Sequence, residues 1–428
     1  MAAAPESNEL AAALTRLRST RTIRERCNRI LDGIGAGRSR WLSVEPGALP
    51  TAIDRVTTLC LARFPDLRIP YHSRWRHFEA LGVDRHAPLR ARMLERANGD
   101  VRCVARATID LAVLSVLLDA GAGEAWRFRD DSTGMDIGRS EGLALASLAA
   151  FEAGRFSSDP DWPWQVDAEA LARIDTTTLA GLFQVDARNS LIGLDGRARL
   201  LRSLADALRA RADLFGAAAR PGALFDQLVD ARAPQAKRID AASILALVLE
   251  GLGPIWPTGQ RLGGEPLGDC WRHPLASDPD DTSIDAHRVP FHKLSQWLTY
   301  SLLEPFEWAG VAIDRLDALT GLPEYRNGGL LIDTGVLIPS QSMLALQPLR
   351  VDAEPVIEWR ACTVALIDRL ADGVRAELGA RTGRSAQAAA LPLAAILEGG
   401  TWAAGREIAQ ELRGGASPLA LLIDGTVF

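Results

Sequence analysis

Apolar residues recur along most of this chain at three- and four-residue spacing, the period of a helix rather than of a strand. Over residues 101–118, Val101, Val104, Thr108, Leu111, Ser115 and Leu118 fall on one side. Most of the opposite side is apolar too, which predicts a buried helix. Residues 355–376 place Val356, Trp359, Thr363, Leu366, Leu370 and Val374 on one stripe, and 191–211, 238–250, 290–303 and 402–413 also read as helices. Alternating runs bounded by turn residues are scarce, and the βαβ rhythm of a parallel sheet is absent. The expected fold class is therefore mostly α, a multi-helix globular fold. The first 20 residues are Ala-rich and charged, and read as a loose helix or flexible segment. Residues 253–290 are rich in Gly, Pro and Asp. An irregular stretch of that length is functional or marks a lobe boundary. The organisation expected is one all-α catalytic domain over 21–428, with 253–290 as the place where a boundary between two lobes would fall.

Composition narrows the classes. A chain of 428 residues exceeds the size at which one core stops growing, so one two-lobed unit is as compatible as two domains. The longest apolar runs are broken by Asp, Arg or Gly, so no membrane span is expected. The N-terminus does not read as a secretory signal. The five scattered cysteines, Cys27, Cys60, Cys103, Cys270 and Cys362, are an odd number and suggest no disulfide framework, which points to a reducing cytoplasm. A net charge of −6 argues against nucleic acid or an anionic membrane as partner. Of the 48 basic residues only Lys237 and Lys293 are lysines. In so Arg-biased a chain a compact ammonium draws notice, because it does not interchange with a guanidinium at a site.

Four stretches could carry chemistry. In FHKLSQWLTYSLLEP, Lys293, Gln296 and Tyr300 form a polar strip on a helix that is otherwise apolar. Such a strip either lines a cavity, or has Lys293 reaching solvent and Tyr300 bonding a backbone carbonyl. RIPYHSRWRHF alternates His72, Arg74, Arg76 and His77 with Tyr71, Trp75 and Phe78. That pattern suits an anionic, ring-bearing ligand, against the plainer reading of a helix start with an exposed Arg face. GMDIGRSEGLA lacks the Lys-Ser/Thr of a phosphate loop, and an N-cap at Ser140 is the expectation there. LPEYRNGG offers Glu324 beside Tyr325 and Arg326, with Asp333 and Glu358 further on. Pro323 should stop a DRLDALTG helix, and Gly328-Gly329 should allow close backbone approach. Alone, an ion pair of Glu324 with Arg326 or another Arg would explain the carboxylate. Cys270, His273, His287 and His292 have loosely zinc-like spacing, but a chain this large needs no structural zinc, and no metal or cofactor is expected.

Taken together, IPYHSRWRHFE, GRSEGLA, VPFHKLSQWLTYSL, LTGLPEYRNGGLLID and LEGGTWAAGR resemble a protein family tied to uracil breakdown in fungi and bacteria. The resemblance runs from about Arg21 to Phe428. It implies a route in which uracil becomes a nucleotide, the ring opens, and ribosylurea-type intermediates release urea. A second, remote resemblance is to queuosine 5′-phosphate N-glycosylases, all-α proteins related to helix-hairpin-helix DNA glycosylases. Phe291-His292-Lys293-Leu294-Ser295-Gln296, Glu324-Tyr325-Arg326 and Glu358-Trp359-Arg360-Ala361 look like its three signatures, in the same order. SLIGLDGRARLL looks like a further one upstream. Glutamate replaces aspartate at position 324, and Asn-Gly-Gly follows Arg326.

These resemblances imply an N-ribosyl hydrolase acting on a small ribosyl ureide, most simply a 5-phosphate. Glu324 would be the carboxylate beneath the sugar, with Asp333 or Glu358 as hydroxyl ligand or second acid–base. Tyr325 or His72 would assist urea as it leaves. Lys293, Arg74 and Arg76 would hold phosphate, and Gln296, Tyr300, Trp75, Arg326 and Arg360 complete the expected binding set. A ureide amidohydrolase and a non-catalytic pathway scaffold are the alternatives. A homo-oligomer is compatible with the sequence. A hydrolase predicts Lys293, Gln296, Glu324 and Arg360 converging on one pocket.

Overall fold

In the computed structural model, which describes residues 7–119, 121–229, 237–256 and 260–422, helices carry the architecture. Among the described residues the strands are two or three residues long and form two-stranded pairs only. The centre is the helix Glu354–Thr382, whose positions from Pro355 to Ile367 are all buried. The sequence explains this: the 355–376 stripe is backed by Ala361, Cys362, Ala365 and Ile367 on its other sides, so the helix has no polar face until its second half. Thr20–Gly35 and Leu49–Arg63 pack along it. The buried helix expected at 101–118 is Val101–Leu117, capped by Asp100, and it lies against Lys293–Trp308. Trp402–Arg413 forms with the expected bounds and packs on Tyr325–Asp333. Backbone approach there is close enough that a side chain at Gly405 would strike the Arg326 carbonyl. The glycine pair after Asn327 works the same way, since a Cβ at Gly328 would meet Trp359 Nε1 at 2.6 Å. One contiguous apolar core runs from Ile23 to Leu419.

Several expectations were displaced by local physics. The N-terminal stretch is not loose where described. Ser7–Leu17 is a helix whose Ala13 and Leu17 are buried against Leu262, Leu267 and Cys270. Arg16 there pairs with the buried Asp285. The helix at 238–250 begins at Ala241, because Arg238–Asp240 pairs instead with Ala312–Asp314. The helix expected over DRLDALTG is a single turn, Leu316–Ala318. Ser140 is not a cap: Gly138 holds that position of Arg139–Glu152, and Ser140 lies inside the first turn. The irregular region after Gly253 is threaded by short pairs, of which Cys270–Arg272 with Arg288–Pro290 delivers Asp269 to the interior. No helix among the described residues is long and apolar enough to cross a membrane.

Candidate functional site

Two helices begin side by side in the interior, and each start is closed by a carboxylate. Glu324 caps Tyr325–Asp333: its Oε2 accepts from Arg326 N at 2.7 Å and its Oε1 from Asn327 N at 2.5 Å. Asp269 serves Lys293–Trp308, accepting from Lys293 N at 3.0 Å. Arg360 joins the two. Its Nη1 and Nη2 donate to the two Asp269 oxygens at 2.7 Å each, and its Nε to the Pro323 carbonyl at 3.3 Å. The guanidinium also lies 4.2 Å from the centre of the Phe291 ring. A bidentate Arg–carboxylate pair of this kind fixes orientation as well as charge. Arg360 is thus the clamp that sets Glu324 beside the Lys293 turn.

The side chain of Lys293 answers Glu324. Its strongest electrostatic neighbours are Glu324 and then Asp119, with Arg360 opposing. Burial lowers the ammonium's pKa, while burial raises that of Glu324 against its two backbone donors, Lys293 and His72. Burial therefore brings the two pKa values closer together than they are in exposed groups. His72 also acts on the charge of Glu324. Its Nδ1 donates to Glu398 Oε2 at 2.9 Å, which leaves Nε2 as the ring nitrogen able to exchange a proton. Burial pushes Glu398 up, but the His72 bond and charge, with Arg63, outweigh it and hold the carboxylate below its ordinary value. Glu398 sits in a π-helical turn, Leu397–Thr401. Such turns re-aim a side chain and are common at functional sites. Gly399 and Gly400 allow that turn to press on Leu49–Arg63, since a Cβ on Gly400 would meet Val56 Cγ1 at 2.6 Å. The imidazole is framed by Trp297 and Trp402, with ring centres 6.5 and 6.1 Å away.

Arg74, Asp119 and His77 complete the cluster. Arg74 is fully buried and its Nη1 lies 3.1 Å from Asp119 Oδ2. Tyr325 sits in the same field: burial raises its phenol, as does the charge of Asp119. Burial and then Arg74 push His77 down to about 4.

The remaining expected residues sit elsewhere or act as ties. Gln296 donates to Thr320 Oγ1, and Tyr300 donates to the Thr320 carbonyl at 2.7 Å, so both hold the loop before Glu324 rather than facing it. Trp75 is core, with its indole N–H on the Ser301 carbonyl at 2.7 Å. Arg76 is paired with Glu304 and Glu79 at 2.7 and 3.2 Å. Arg326 donates to the Gly415 carbonyl at 2.9 Å and stacks on Tyr325, so it makes no side-chain pair with Glu324. Asp333, at the far end of its helix, pairs with Arg413 at 2.5 Å.

Glu358 falls in a separate group with His273 and Glu354, in which Glu358 and His273 are buried and Glu354 is exposed, and whose ligand-type atoms lie within 4.8 Å of one another. The donor set does not fit a cation. His273 Nδ1 accepts from Leu275 N at 3.2 Å, so the neutral ring carries its proton on Nε2, 3.3 Å from Glu358 Oε1. A metal would need that nitrogen bare and the other one donating. Glu358 also accepts from Ser39 Oγ at 2.5 Å and Glu354 from Trp41 Nε1 at 3.1 Å, so the group ties residues 39–41 to the central helix. The zinc-like quartet does not assemble either: His292 Nε2 donates to the Leu17 carbonyl at 2.9 Å, whereas His287 contacts Ser277 at 3.0 Å. An open surface groove of about 980 Å³ includes Arg21, Arg24 and Arg315. These pair with Glu25, Asp368 and Asp240, as on a solvated face.

Asp119, Asp269 and Glu398 were not among the sequence candidates. Glu398 stands in LEGGTW, where a carboxylate precedes two glycines, and that was a usable signal. Asp269 and Asp119 carry none, because their partners lie far away in the chain.

Comparison with known proteins adds three findings. A family model described as "Protein of unknown function (DUF1688)" matches residues 16–428. Protein urg3 of Schizosaccharomyces pombe is 36% identical over 420 residues, covering 97% of this chain and 99% of that protein. Uracil catabolism protein 4 of Lachancea kluyveri is 33% identical over 443 residues, covering 96% and 98%.

Proposed function

The chain belongs to the DUF1688 family, and on that premise we propose that it is a hydrolase of uracil breakdown that cleaves the N-ribosyl bond of a ribosylurea, most simply its 5-phosphate, to urea and the sugar. A relative matched over nearly its whole length is named a uracil catabolism protein. The observation that carries the reading is the buried Glu324 carboxylate, held by two backbone donors, with the charges of Lys293 and of the Glu398-paired His72 acting on it.

The chemistry follows from what breaks. When the C1–N bond opens, its electron pair goes to the ureido nitrogen and the sugar becomes oxocarbenium-like. A carboxylate held beneath the ring stabilises that charge before any water arrives. Glu324 suits the role because its backbone donors fix the side chain while each oxygen keeps a second lone pair. The carboxylate then takes a proton from the water that adds to C1. Urea leaves poorly as an anion, so the ureido nitrogen needs a proton. His72 enters the step as the imidazolium, its Nδ1–H held by Glu398, and gives up the Nε2 proton. The proton taken up by Glu324 restores it through solvent at the end of the cycle. Lys293 is the cation for a 5-phosphate. Arg76, already paired with Glu304 and Glu79, drops out of that role. Positioning of this kind lowers the barrier by holding attack geometry.

The test is release of urea and ribose 5-phosphate from synthetic ribosylurea 5-phosphate by the wild type and by Glu324→Gln, with the unphosphorylated ribosylurea alongside. Turnover by the wild type and a loss of at least about a hundredfold in a folded Gln variant are expected. Equal rates in the two proteins, or inert wild type on both substrates, would sink the assignment.

A further inference from the structure

Beside Glu324 the same interior holds polar atoms that the protein itself leaves unsatisfied. Arg74 donates from Nε to Ser115 Oγ at 2.7 Å and from Nη1 to the Ser140 carbonyl at 3.2 Å, yet its Nη2 has no partner among the described residues. Asp119 meets Arg74 through Oδ2 only, and its Oδ1 has none. Trp297 lies with its ring centre 5.7 Å from the Arg74 guanidinium carbon, and its Nε1 is also unpartnered. His77 stands edge-on to that indole at 5.8 Å. Buried polar groups are ordinarily satisfied, because leaving one unmade carries the full desolvation cost. Two donors and one acceptor left open in this group, with the His77 Nδ1 nitrogen beside them also unpartnered, describe a ligand by its complement.

That complement is specific. It must accept twice, from a guanidinium and an indole, and donate once, to a carboxylate. It must also be neutral: Arg74 is already balanced by Asp119, Glu141 adds to the field around Arg74, and His77 stays uncharged near pH 7. A phosphate would set its charge against the open Asp119 oxygen. A bare guanidinium would have nothing to offer the two donors. A carbamoyl group fits, with its C=O between Arg74 and Trp297 and its N–H on Asp119.

We propose that Arg74, Asp119 and Trp297 form a carbamoyl-binding subsite that recognises the ureido end of the substrate. The role of that end as leaving group rests on the hydrolase reading above; the binding does not. The subsite makes the protein selective for ureides over isosteric acids and guanidines of the same size.

The experiment is saturation-transfer NMR on the full-length protein with N-ethylurea, butyrate and N-ethylguanidinium as probes, using wild type and Trp297→Phe. Phenylalanine keeps an aromatic ring there and removes the indole N–H together with the pyrrole part of the ring, and the two isosteres report the effect of the lost packing. N-Ethylurea should bind the wild type, and the two charged isosteres should bind at least about tenfold more weakly. Trp297→Phe should weaken N-ethylurea about tenfold, the loss of one buried hydrogen bond, and leave the isosteres unchanged. Absence of N-ethylurea binding, butyrate bound as well as the ureide, or an unaltered Trp297→Phe variant would each overturn the subsite. The wild-type order alone decides the matter should the variant fail to fold. Ureide-selective binding by a protein inert on ribosylurea would keep this inference and end the hydrolase reading, and turnover without selectivity would do the reverse.

Discussion

Two buried Asp–Arg pairs adjoin the same helix, Val101–Leu117, and they differ in one respect. Asp110, in its middle, has partners on both oxygens. Its Oδ2 accepts from Arg220 Nε and Nη2 at 2.9 and 2.5 Å and from Val166 N at 3.2 Å, and its Oδ1 accepts from Gly222 N at 2.6 Å. Arg220 Nη1 goes on to Gln165 at 2.9 Å. Asp119, just beyond the helix end, leaves one carboxylate oxygen open, and Arg74 leaves one guanidinium nitrogen open. In the first pair every carboxylate oxygen and every guanidinium nitrogen has a partner. The second, at the edge of the Lys293–Glu324 cluster, leaves one of each without any among the described residues. Satisfaction, rather than charge or burial, separates the pair that holds the fold from the pair that faces chemistry.

That contrast can be broken by the same substitution at both places. Asp110→Asn should cost about 3–5 kcal/mol in chemical denaturation, because it strands a buried guanidinium within a closed network. Acid should come next in size. Folding lowers the His77 pKa from 6.5 to about 4, so the unfolded chain takes up that proton first. The stability concerned is present in full above pH 6.5 and is lost as pH falls toward 4, on the order of 3 kcal/mol in all. His77→Gln should flatten that part of the stability–pH curve, and a curve unchanged by the substitution would count against the assignment. Arg360→Lys should cost about 2 kcal/mol, since a point charge cannot bridge both Asp269 oxygens and the Pro323 carbonyl. It should also slow turnover through misplacement of Glu324. Asp119→Asn should be the mildest, about 1 kcal/mol, because half of its pair was already unmade. Ureide binding should nevertheless fall with it, which Asp110→Asn should not cause in whatever fraction stays folded. Equal stability losses for the two Asn variants would erase the distinction.

The sequence showed the helices well where one face or the whole circumference is apolar. Trp402–Arg413 and the central helix are legible from spacing alone. It misled where a short polar-rich run could go either way: DRLDALTG has helix-forming residues, yet Ala312–Asp314 is drawn into pairing with Arg238–Asp240 and leaves room for one turn. In the candidate site, Lys293, Glu324, His72 and Arg74 drew notice because unusual residues stood in dense or apolar surroundings. Which partner each would meet was not legible. Asp269 meets Arg360 across 91 residues, and Glu398 meets His72 across 326. No local pattern encodes a contact that only the packed core creates. Arg76 shows the converse: its neighbours in sequence suggested a ligand, and Glu304, more than two hundred residues away, answers it instead.

The most direct measurement is to follow the fate of the ureido carbon. Ribosylurea 5-phosphate, isotopically labelled at that carbon, is incubated with the wild-type protein and watched by carbon NMR. Cleavage of the N-ribosyl bond by Glu324 and His72 predicts that the label appears as intact urea, in step with free ribose 5-phosphate. Label appearing as bicarbonate, with ammonia released and no intact urea formed, would mean that the carbamoyl C–N bond breaks instead, and would contradict the assignment.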